Sequence, residues 1–118
     1  MSELRERLTK FKDFITTEKR KMFYLIKTKN DMIMSHKEYT EKIKIDILNE
    51  MDEKGKVLYS NQAKRDAAFN DIIKDDSKDN SFHIELDDIE NEIKEIELNI
   101  ENTRYSFRIE EIISRLGE

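Results

Sequence analysis

The chain contains no cysteine and no proline, only two histidines, and a single glycine, Gly55, besides Gly117. Without cysteine there is no disulfide framework, no thiolate metal site and no cysteine nucleophile. Without proline the strongest helix breaker is missing, and with one internal glycine the second is nearly so. Neither residues 1–20 nor any later stretch forms a continuous apolar run, so no signal peptide or membrane span is expected and the expected location is cytoplasmic. Glycine-rich phosphate loops, nucleophile elbows and triad spacings are also lacking, so neither an enzyme nor a bound cofactor is expected. His36 and His83 fall into no His-x-x-x-His or Glu-x-x-His spacing, and no metal site is expected either.

What remains is charge at regular intervals. Of 118 residues 42 % are charged, 36 % hydrophobic and 8 % aromatic, a balance found in long helices and coiled coils rather than in thick cores. One domain is expected, all-α, an elongated antiparallel coiled-coil hairpin of two long helices with a short helix and a turn between them. The first arm is predicted over residues 3–51, about 70 Å at 1.5 Å per residue. Its apolar residues step by four and three through Leu4, Leu8, Phe11, Ile15, Met22, Leu25, Met32, Tyr39 and Ile43, with Glu18, Lys29 and His36 on the same seam. A stutter to Ile47 and Met51 follows. The weak helix formers Thr16-Thr17 and Asn30-Asp31 mark the two places where this arm would break.

A hinge is predicted over residues 52–61, and a short helix over 61–75 with Ala63 and Ala67 facing inward. The second arm is predicted over 81–116, on the heptad Phe82, Leu86, Ile89, Ile93, Ile96, Ile100, Thr103, Phe107, with a register shift near Tyr105 toward Ile109, Ile112 or Ile113, and Leu116.

The net charge of −5 is unevenly shared: residues 1–60 hold 14 basic and 11 acidic groups, residues 61–118 hold 8 and 16. Two basic stretches interrupt the acidic background. One runs from Lys54 to Arg65 and contains Lys56 and Lys64 but no acid; the other, Lys19 to Lys29, begins with Lys19, Arg20 and Lys21. For both, two readings stand: a solvated face, or a surface for an anionic partner. In the first stretch phosphate would meet the start of the short helix beside Asn61, with Tyr59 stacking on a base. Because the first arm is the longer, Leu4, Leu8 and Phe11 are expected to lie uncovered and to make a homo-oligomer interface.

The run Asp52-Glu-Lys-Gly-Lys-Val-Leu-Tyr-Ser-Asn-Gln-Ala-Lys-Arg-Asp-Ala-Ala68, followed by an acidic heptad helix and Tyr105-Ser-Phe-Arg108, resembles small helical proteins of bacteriophage and mobile-element DNA-metabolism gene clusters. The likeness spans about residues 50–110. In that group the turn reads Asn-Gly-Lys-x-Leu-Tyr-Ser-Asn-x-x-x-Arg-x-Ala, so Tyr59, Ser60, Asn61, Arg65 and Ala67 match while Lys54 replaces the usual Asn. Size and helical arrangement are also similar to phage recombination mediators. The resemblance implies an accessory of recombination or replication in the host cytoplasm, binding single-stranded DNA or a recombination protein. The alternative partner class is a host-defence protein, met by the acidic helical face of a phage anti-defence factor such as an anti-CRISPR.

Overall fold

A computed structural model describes residues 2–117. Among these the chain is all-helical: α1 is Ser2–Asn49, α2 is Gln62–Ile73 and α3 is Ser77–Leu116. Outside the helices the only ladder contact among the described residues is one isolated antiparallel bridge, Met51 with Val57. α1 runs unbroken through Thr16-Thr17 and Asn30-Asp31. Two threonines later in the helix turn their hydroxyls back onto it, Thr28 to the carbonyl of Tyr24 and Thr40 to that of Lys37, so their side chains are satisfied without breaking the ladder.

The chain divides into two compact units. In the first, residues up to Lys29 lie with those from Asp88 onward. Phe11 stacks on Phe107 with ring centroids 4.6 Å apart. Arg7 pairs with Glu110 at 3.7 Å and Lys29 with Glu90 at 3.4 Å, so rising numbers on α1 meet falling numbers on α3. Ile15 and Ile100 are buried at the centre of this unit's seam. Glu18, also buried, accepts a hydrogen bond from Lys21 Nζ at 3.2 Å, which compensates a charge in a mostly apolar row.

The second unit is residues 30–87. Its part of the α1 seam runs through Met32, His36, Tyr39 and Ile43 to Ile47, the most buried apolar side chain described, at 3 % exposure. Phe69 of α2 packs under Lys44, whose Nζ lies 4.9 Å from the ring centre. The two alanines of α2 predicted to face inward do not. Ala63 and Ala67 are exposed, while Ala68 and Phe69 carry the half-buried face. α3 begins four residues before the predicted Ser81, because Asp76 caps it: its Oδ1 accepts from the backbone N–H of Asp79 at 2.8 Å, and its carbonyl accepts from Asn80.

The register shift predicted at the end of α3 is absent. Phe107 keeps the seam, and Ile109, Ile112, Ile113 and Leu116 are exposed.

Gly55 sits at φ +77° in the turn after α1, a region that L side chains enter at a cost. A Cβ there would meet nothing within 4 Å, so the penalty of Gly55→Ala is conformational alone. A loss of about 1 kcal/mol in urea denaturation is expected.

Candidate functional site

The connection between α1 and α2 is tied down by its own polar groups. Asp52 Oδ1 accepts from the backbone N–H of Lys54 at 2.9 Å and of Lys56 at 3.0 Å, and Asp52 N–H donates to the Lys56 carbonyl at 2.8 Å. Leu58 N–H donates to the Glu50 carbonyl at 2.9 Å, closing the loop's base. Asp52 therefore turns inward onto amides, while the neighbouring Glu53 is exposed; Lys54, Lys56 and Lys64 are exposed too and, among the described residues, have no acidic partner within 4 Å.

The other residues expected at this loop have structural duties. Asn61 is the N-cap of α2, its side-chain oxygen accepting from Lys64 N–H at 2.9 Å, which removes one helix-start donor from any phosphate. The Arg65 guanidinium donates to the Tyr59 carbonyl at 3.4 Å and to Gln62 Oε1 at 3.3 Å, fastening the loop to the helix. Tyr59 is half-buried. Beside them Lys44, Ile47, Leu48, Arg65 and Phe69 line an open groove of about 280 Å³.

The competing stretch on α1 is partly neutralised. Lys21 is bonded to Glu18 and Lys29 to Glu90, and Lys19 shares a groove of about 400 Å³ with Glu97, Glu101 and Arg104. Arg20 is exposed. At the expected oligomer interface Leu4 and Leu8 are exposed, whereas Phe11 is half-buried against Phe107. Phe107 stacks on Phe11 and Glu110 pairs with Arg7, so the last turns of α3 run beside this end of α1.

A second polar cluster joins α1 to the start of α3. His36 Nε2 lies 2.7 Å from Asp79 Oδ1, and His83 Nε2 lies 3.4 Å from the same oxygen. The His36 ring is stacked on Phe82 with centroids 3.8 Å apart and planes within 9°. One turn away, the Tyr39 hydroxyl donates to Asp76 Oδ2 at 2.5 Å. That bond is the main cause holding the Asp76 carboxyl below its ordinary value, helped by the Asp79 backbone N–H, and it also pushes the Tyr39 phenol up. Asp76 therefore stabilises the fold above the ordinary carboxylate range, and that contribution is lost as pH falls through its lowered folded value. In Tyr39→Phe the hydrogen bond is gone, so the acid limb of a stability–pH curve is expected to shift toward higher pH; an unchanged limb contradicts the pairing.

Sequence reasoning missed this cluster. Asp79 and His83 stand at i, i+4 on one helix face, a detectable signal once α3 is known to begin at Ser77.

Compared with family models, curated proteins and solved structures, the chain matches none. Its function rests on its own residues.

A further feature lies on α3. Leu98, Tyr105, Ile109, Ile112 and Leu116, in steps of seven, four, three and four, are all exposed. Phe107 faces α1, and helical spacing puts this row on the other side of the helix.

Proposed function

We propose that this chain is a non-enzymatic, self-associating accessory of phage-type DNA recombination or replication, which holds single-stranded DNA on the loop between α1 and α2. The observation that carries this is Lys54 and Lys56 on that loop together with Lys64 in the first turn of α2, all exposed and unpaired among the described residues, with the loop backbone fastened by its own hydrogen bonds. Phosphates are attracted by such lysines without any rearrangement of the loop. The phage setting rests on the likeness of the Asp52–Ala68 run. In each unit the 4-3 spacing of half-buried residues and the opposed numbering of α1 and α3 support an antiparallel coiled-coil pairing. Self-association rests on the outer row of α3, which one chain leaves uncovered.

Three phosphate contacts give a log–log salt slope of about −2 for a single strand, at roughly −0.7 per contact. Fluorescence anisotropy with labelled oligonucleotides at low salt measures it. Lys54→Glu, Lys56→Glu and Lys64→Glu together should abolish binding with helix content unchanged, while Lys19→Glu and Arg20→Glu should alter it little. If the wild-type protein retains no single-stranded DNA, the reading fails and the acidic-face alternative replaces it.

A further inference from the structure

We infer that His36, Asp79 and His83 form a binding site for a divalent transition-metal ion of the zinc class. One donor atom from each of the three residues lies within 4.8 Å of the other two, and both imidazole Nε2 atoms approach one carboxylate oxygen, Asp79 Oδ1. Ligands about 2.0–2.1 Å from a tetrahedral zinc ion stand roughly 3.3 Å from one another. The His83–Asp79 separation of 3.4 Å already fits that edge. The His36–Asp79 separation of 2.7 Å is a hydrogen bond whose proton the ion would replace, with the two atoms opening by a few tenths of an ångström.

Four further features suit the site to a cation. Asp79 is buried at 8 % exposure, and among the described residues its only ion-pair partners are these two imidazoles. A second carboxylate, Asp76, lies one turn before it and accepts from Asp79 N–H, so two carboxylates stand there against the one nearby ammonium of Lys78. The His36 ring is fixed by its stack on Phe82, which fixes its donor before any ion arrives. His83 is exposed on its outer side, giving the ion access and leaving room for water in the remaining coordination position. Two imidazoles with one carboxylate select zinc-class ions over calcium and magnesium, which take oxygen donors. Because His36 belongs to α1 and the other two donors to α3, the bound ion would staple the two helices within the second unit.

The test uses the full chain stripped by chelator. Titration with zinc chloride in a calorimeter should show one ion per chain, cobalt chloride should give the visible absorption of a tetrahedral Co²⁺ complex, and saturating zinc should raise the melting temperature by several degrees. His83→Ala alters an exposed side chain and leaves the core intact, so it separates binding from folding; it should weaken zinc binding at least tenfold and abolish the cobalt spectrum. His36→Ala should do the same. The proposal is overturned if wild-type protein shows no saturable zinc binding, or if both histidine variants bind zinc and cobalt as the wild type does.

Discussion

Ile100→Ala in the first unit and Ile47→Ala in the second should each remove about 2–4 kcal/mol of stability, the range for emptying a buried aliphatic site. Only Ile15, Ile47 and Ile100 count as buried apolar residues among those described, so each carries a large share of a thin core. Against a total stability of about 5–15 kcal/mol for a small domain, either substitution shifts the urea midpoint strongly. Ile84→Ala is the comparison: at 64 % exposure it should change stability by no more than about 0.5 kcal/mol. Equal effects at Ile84 and Ile100 would mean that the 4-3 spacing does not mark the buried face.

That spacing is where the sequence is most legible. From Phe11 to Ile47 on α1, and from Phe82 to Phe107 on α3, each position assigned to a seam is buried or half-buried, polar members Glu18, Lys29 and His36 included. Heptad periodicity is a property of one helix at a time, so it survives ignorance of the partner. Features that depend on two segments meeting were hidden. Asp75 to Asn80 reads as a polar connection because Asp and Asn are weak helix formers, yet Asp76 caps a helix that swallows the rest. Once that start is misplaced, Asp79 drops out of the helix, and its meeting with His36, 43 residues away, has no local signal. The end of α3 failed differently. Phe107 and the Tyr105–Leu116 row both satisfy helical spacing, and a one-dimensional pattern does not separate a shift of register from a second face. At the loop, composition shows the lysines but not which side chains the loop also uses on itself, and Asn61 and Arg65 both make hydrogen bonds that fasten it.

The outer row of α3 leads to the other large effect, conversion of a dimer to a monomer. A second copy running antiparallel on this row and centred on Tyr105 sets Leu98 against the partner's Ile112, and Tyr105 against the partner's Tyr105. In the same register Glu101 stands beside the partner's Arg108 at both ends of a two-fold axis, so the face is complementary to itself in charge as well as in apolar spacing. Full burial of a Leu or Ile side chain contributes about 1.5–3 kcal/mol, and association costs about 4–15 kcal/mol in lost freedom, so a reversible dimer rather than a permanent one is expected from these few apolar layers. Sedimentation at tens of micromolar should show it, and Leu98→Ser, Tyr105→Ser and Ile112→Ser together should leave only monomer with helix content preserved. Charge supplies the sharper check. Glu101→Arg alone places Arg against Arg twice and should dissociate the dimer, as should Arg108→Glu alone, while the two combined restore opposite signs and the dimer with them. A wild-type monomer removes the interface; a wild-type dimer indifferent to these charges, and lost instead in Leu4→Ser with Leu8→Ser, moves it to the start of α1.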